Sequence, residues 1–258
     1  MIADQFNLLV EAMFAPLEGS VDVVSPAGIL VLGLIIGLRH AMEADHVAAV
    51  STIVTTSDRK LSRAPLLGAL WGLGHTATLF VAGLIVLVLA VSIPERVSGI
   101  MEFGVGIMLV FLGATVLTGF NTGKFLRGIF GSQRHSHIHA HREIGVIHSH
   151  DHDHHADHRH GHKSLIVGMI HGLAGSGALM LAVLATIDSV PLGLAYIAIF
   201  GAGSIASMAG MSALIALPVA RASRFKLDLV LKYAAAVVAI AIGIGLVYEL
   251  GFVEQVFF

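Results

Sequence analysis

Four histidines, His40, His46, His75 and His171, lie inside long runs of apolar residues. The first two belong to GLRHAMEADHVAAV, residues 37–50, which also holds Arg39, Glu43 and Asp45. An ionisable side chain at membrane depth costs about 2.5–3.5 kcal/mol on insertion scales and usually marks an ion or substrate path. Neutral imidazoles assisted by carboxylates, in a chain without cysteine, suit nickel, cobalt, zinc or copper better than magnesium or calcium. A single buried histidine is ordinarily a hydrogen-bonded packing residue. Four of them on three apolar runs point to one shared metal site.

On an ideal helix His40, Glu43 and His46 fall on an arc of about 120°, whereas Asp45 points about 140° from His40. One straight helix cannot aim all four groups at one point. Either the helix unwinds there, or Asp45 accepts the second N–H of a ligand histidine and fixes its tautomer. Arg39 is expected to offset Glu43 or Asp45; the alternative puts it beside a water-filled cavity, where it tunes release of the ion. The small residues around His75 (GLGHTATL, 72–79) and His171 (HGLAGSGAL, 171–179) read mainly as close-packing devices.

The elements that must position these groups follow from composition. Of 258 residues, 56% are hydrophobic and only 12% charged, and the mean hydropathy is +0.86. Soluble domains carry about 25% charged residues, so the chain is an integral membrane protein. Six stretches are long and apolar enough to span: about 26–54, 64–92, 97–120, 164–187, 191–219 and 228–250. Thirteen of the 15 basic residues fall on one side if the amino terminus is outside. Both termini are therefore expected to be extracytoplasmic and the long polar loop cytoplasmic, in the cytoplasmic membrane. Residues 1–25 hold four acids and no basic residue, unlike a signal peptide. Phe6, Leu9, Val10, Met13 and Leu17 instead suggest an amphipathic surface helix.

Gly-x-x-His recurs at 37–40 and 168–171, 131 residues apart. Gly-x-Gly at 72–74 and 201–203, and Gly113 with Gly243, repeat at offsets of 129 and 130. Three spans per repeat is an odd number, so the halves must insert in opposite orientations. The expected fold is all-α: a polytopic membrane protein with six transmembrane helices as a 3+3 inverted repeat. Its expected divisions are an extracytoplasmic amphipathic segment (1–25), a first three-helix repeat (26–120), a cytoplasmic His-rich loop (121–163) and a second repeat (164–258).

That loop holds His135, His137, His139, His141, His148, His150, His152, His154, His155, His158, His160 and His162, twelve of the sixteen histidines. Such a tract cannot build a core and is expected to lack fixed structure. Imidazoles on a flexible chain chelate divalent metals at high capacity and let go in mild acid, as they protonate near pH 6.5. The loop is read as a metal buffer, or as a sensor that gates the path.

Beside these residues stands a resemblance. RHAMEADHVAAV contains His40, four residues, then Asp45–His46, and so resembles the His-x4-Asp-His signature of the nickel/cobalt transporter family; LGHT at 73–76 is similar to that family's second span motif. The resemblance implies that His40, Asp45, His46 and His75 carry metal selection and passage; Glu43 and His171 join them from the helical arc and the repeat. Uptake members usually have eight spans with the signature in the second, whereas here it falls in the first of six. Six spans with a His-rich loop also resemble the efflux branch, and HGLAGSGAL is similar to the urease-associated nickel permeases.

The expectation is a secondary transporter of Ni2+ and/or Co2+, in the uptake direction, with nickel or cobalt efflux as the alternative. An intramembrane metalloenzyme or a metal sensor is a further alternative, but H-E-x-x-H is absent and no nucleophile or base accompanies the cluster. No phosphate-binding G-x-x-x-x-G-K-[ST] motif occurs, so ATP hydrolysis on this chain is not expected. No permanent cofactor and no nucleic acid are expected. The expected partners are the transported dication, the lipid bilayer and a cytoplasmic metallochaperone or metalloenzyme maturation factor.

Overall fold

The apolar run that begins after Ser25 is not one helix. The Ser25 hydroxyl accepts the Gly28 N–H at 3.0 Å, and Pro26 sits in the first turn, where its missing N–H costs nothing. Helix α2 (Pro26–His40) stops at His40. Two tight turns follow, Met42 N–H to the Arg39 carbonyl at 2.8 Å and Glu43 N–H to the His40 carbonyl at 3.2 Å. Helix α3 (Ala44–Thr56) then leaves at an angle of 54°. Asp45 in its first turn complements the positive end of the helix dipole.

A restarting helix leaves orphan N–H groups. One is satisfied from far away in sequence. The Ala44 N–H donates to Asn7 Oδ1 at 2.8 Å, and Asn7 lies on the amino-terminal helix α1 (Ile2–Gly19). Asn7→Ala should therefore cost about 1 kcal/mol, as loss of a cap does. In detergent that reads as a melting midpoint lower by about 2–4 °C; an unchanged midpoint would show that the bond contributes nothing.

The computed structural model describes residues 2–21, 25–56, 63–89, 94–120, 138–141, 146–149, 159–173, 178–187, 189–223 and 227–254. The remaining elements are α4 (Ala64–Leu89), α5 (Glu95–Thr118), the strands β1 (Ile138–His141) and β2 (Val146–Ser149), α6 (Arg159–Leu173), α7 (Ala178–Leu184), α8 (Val190–Ser223) and α9 (Asp228–Tyr248). A π-helical turn, Glu249–Val253, extends α9.

The all-helical expectation holds for everything described except the small hairpin. Among the described residues four helices, α4, α5, α8 and α9, are long and apolar enough to cross a membrane, and the bent pair α2–α3 makes a fifth. The expected span at 164–187 holds most of α6, with 15 residues, and α7, with 7, and residues 174–177 between them lie outside the described residues. Fifteen residues reach only about 22 Å of an apolar core about 30 Å thick.

Three stretches of the His-rich tract do take regular structure: β1, β2 and the start of α6. β1 pairs with β2 antiparallel, with Ile138 opposite Ser149 and His139 opposite His148. Ile138, Val146 and Ile147 supply the β-branched residues that strands favour. Of the loop histidines, His139, His141, His148, His160 and His162 are described by backbone alone. His135, His137, His150, His152, His154, His155 and His158 lie outside the described residues.

Between helices, α2 packs on α8, α4 on both α6 and α8, and α5 on α9. Small residues make these approaches possible, and the contacts come in matched couples. A Cβ on Gly37 would overlap the Phe200 carbonyl, and one on Gly168 would overlap that of Trp71. Gly203 meets the Leu34 carbonyl as Gly74 meets that of Leu165. The Ser207 hydroxyl donates to the Leu38 carbonyl at 3.0 Å, and the Thr78 hydroxyl to the Met169 carbonyl at 3.0 Å. Each couple exchanges α2 with α6 and α8 with α4, at offsets of 131 and 129 residues. Along α5 and α9, Gly113 meets the Ala236 carbonyl and Gly243 that of Gly106, again 130 apart.

Candidate metal centre

The break in the first apolar run puts His40 on the last residue of α2 and Asp45 and His46 in the first turn of α3. His75 comes from the middle of α4 and His171 from near the end of α6. Four separate elements thus bring the five groups together. All four imidazoles are at most 2% exposed. His46 is the hub: its ring centre lies 4.5 Å from that of His40, 5.0 Å from His75 and 4.3 Å from His171.

Their side chains bond to one another. His46 Nδ1 lies 3.0 Å from Asp45 Oδ1, and His171 Nε2 lies 2.8 Å from Asp45 Oδ2. An ionised carboxylate only accepts, so both rings turn an N–H toward Asp45. That assigns the lone pair to His46 Nε2 and to His171 Nδ1, neither of which has a hydrogen-bond partner. His40 Nδ1 lies 3.2 Å from Glu43 Oε2, and His40 Nε2 lies 2.9 Å from His75 Nε2. With the His40 Nδ1 proton facing Glu43, His75 donates from Nε2, and its Nδ1 is a further buried nitrogen without a partner.

Both sequence-level solutions for Asp45 therefore hold in the geometry. The helix unwinds, and the carboxylate holds histidine N–H groups. A buried polar atom left unpaired costs about 1–3 kcal/mol, so three unpartnered ring nitrogens in one cluster call for an occupant. Two sets of donors lie within 4.8 Å of one another: His40, His46 and His75, and separately Asp45, His46 and His171. A first-row dication bound at about 2.1 Å needs donors no more than about 4.2 Å apart. Each set could hold a metal ion after small side-chain rotations.

Glu43 reaches His40 with 26% of its side chain exposed, at the edge of the cluster rather than inside it. Arg39 takes neither partner expected for it. Its Nη1 donates to both carboxylate oxygens of Glu18, at 2.9 and 3.2 Å. Asp45 is committed to imidazoles, and α1 folds back to meet the arginine. With Asn7 on Ala44 and Glu18 on Arg39, α1 braces the unwound turn on both sides.

Sequence reasoning missed the walls of the site. The Trp71 ring lies 5.5 Å from His46 and 5.2 Å from His171, and Phe200 lies 5.6 Å from His40. Trp71 stands four residues before His75, hence on the same helical face, and that spacing could have found it. Nothing local marks Phe200, Asn7 or Glu18, which arrive from other helices.

The chain is 35% identical over 237 residues to the urease accessory protein UreH of Bacillus sp. (strain TB-90), covering 92% of this chain and 97% of that one. Over 81 residues it is 36% identical to a high-affinity nickel transport protein of Cupriavidus necator, covering 30% of this chain and 22% of that protein. No family model and no solved structure matches.

Proposed function

Since the chain belongs to the nickel/cobalt transporter family, together with the urease accessory protein UreH, we propose that it is a secondary transporter of Ni2+ and/or Co2+ across the cytoplasmic membrane, working in uptake. The observation that carries this reading is the convergence of four buried imidazoles around His46, two of them bonded to Asp45. Structural packing would leave buried ring nitrogens paired, whereas a cargo ion needs them free. The likeness over 81 residues to a high-affinity nickel transport protein of Cupriavidus necator supports nickel in particular.

His40, His46, His75 and His171 with Asp45 replace the hydration shell of the passing ion. Asp45 orients two of the rings, and Glu43 steadies His40. Six crossings carry the site, as two inverted sets of three: α2–α3, α4, α5 and α6–α7, α8, α9. The matched contacts between halves support this arrangement, because each couple swaps corresponding helices. Both termini face outward and the His-rich loop faces the cytoplasm, where it buffers arriving metal. A cytoplasmic maturation factor for a nickel enzyme is the consumer that the name of the UreH relative suggests.

Uptake needs no further energy source, since a potential of 100 mV, negative inside, favours entry of a dication by about 4.6 kcal/mol. The test is Ni2+ entry into proteoliposomes containing a metal-sensitive dye, with and without an imposed potassium-diffusion potential. Entry that rises with inside-negative potential is expected, and deletion of residues 135–162 should leave at least about a third of it, as for a buffer outside the path. Binding without any flux would sink the transporter reading. Flux only against the potential, on a proton gradient, would favour efflux.

A further inference from the structure

We propose that the cation crosses the buried cluster in two steps, from a position held by His40, His46 and His75 to one held by Asp45, His46 and His171, with His46 common to both. The inference rests on the reading that a dication is the cargo, and it concerns how many places that cargo occupies. Donors of the two sets do not merge into one group: each set is compact within 4.8 Å, and only His46 belongs to both. The ring centres agree, for His46 stands 4.5 Å from His40 on one side and 4.3 Å from His171 on the other.

The two positions differ in origin and in charge. The first takes donors from α2, α3 and α4; the second takes them from α3 and, across the pairing of halves, from α6. In the first, three neutral imidazoles leave the ion its full double charge. In the second, the carboxylate of Asp45 cancels one charge, and in a low-dielectric surround that difference draws the ion onward. Asp45 is ready for the transfer because its two oxygens already face the rings it would share the ion with, at 3.0 and 2.8 Å. At the second position the ion would bind the nitrogens that now face Asp45, His46 Nδ1 and His171 Nε2, with each ring's proton moving to its other nitrogen, His46 Nε2 and His171 Nδ1, both buried and without a hydrogen-bond partner. His46 serves the two positions through opposite ring nitrogens, Nε2 in the first and Nδ1 in the second.

A single-position site and a two-position relay respond differently to the loss of an outer ligand. His40→Ala damages the first position only and His171→Ala the second only. The relay predicts that each variant still binds Ni2+ within roughly tenfold of the unaltered protein, because one set stays whole, while flux falls roughly 30-fold or more, by analogy with the 10–100-fold effects of disturbing metal-site shells. Binding is read by equilibrium dialysis with Ni2+ and by quenching of Trp71, the only tryptophan, which sits against the cluster. X-ray absorption adds a signature: bound nickel in His40→Ala should show an oxygen ligand that is missing from His171→Ala. If affinity and flux fall together in both variants, or if His171→Ala keeps full flux, the relay is wrong. Should His171→Ala fail to fold, His171→Gln, whose amide still donates to Asp45, carries the same test. Absence of flux in the unaltered protein would overturn the transporter reading itself, and that result is distinct from both.

Discussion

His46→Ala is expected to abolish nickel flux, by roughly 100-fold or more, and to weaken Ni2+ binding to a similar extent. Disturbing even an outer partner of a metal ligand costs about 10–100-fold, and His46 is the one group present in both donor sets. Its removal leaves each set with two donors. The ring is wholly buried among His40, His75, His171 and Trp71, so no other side chain can move into its place without breaking those contacts. Flux in proteoliposomes and quenching of Trp71 should be lost together. A variant that carried nickel within about threefold of the normal rate would mean that the ion bypasses the histidine cluster.

The second large effect lies in the packing that brings the rings together. At Gly37 and Gly168 a methyl group would meet a backbone carbonyl, that of Phe200 and that of Trp71 respectively. A backbone oxygen in a helix cannot swing aside as a side chain does, so the helices must part. Gly37→Val and Gly168→Val should each cost at least the upper end of the 1–3 kcal/mol typical of overpacking. They should also pull His40 away from His75, or His171 from His46, and so reduce Ni2+ affinity. Gly104 and Gly210, with no atom within 4 Å of a built Cβ, provide the contrast. Gly104→Ala and Gly210→Ala should fold and transport normally. Equal behaviour of the two groups in thermal melting and in flux would refute the claim that backbone approach at 37 and 168 holds the site.

The histidine cluster was legible in unusual detail because its residue types are out of place. His40, His46, His75 and His171 stand out in apolar runs, and any helix burying them must find them partners. The puzzle over Asp45 was legible too, since helical periodicity alone excludes one straight helix aiming His40 and Asp45 together. The true partner of Arg39 was not. Glu43 and Asp45 are its neighbours in sequence, whereas Glu18 reaches it only because α1 folds back along the broken helix. Periodicity describes one element at a time and carries no information about which element comes back.

The amino-acid sequence by itself determined the membrane class, the presence of four histidines and Asp45 in apolar runs, and the internal likeness between the halves. Those follow from composition, side-chain chemistry and spacing, all of which are local. Only the tertiary structure decided that the first helix breaks between His40 and Ala44, that Asp45 grips one ring from its own helix and one from α6, and that His46 belongs to two sets of donors. These depend on how closely helices distant in sequence approach one another. That closeness is set by glycines against backbone carbonyls, contacts that exist only once the halves have come together.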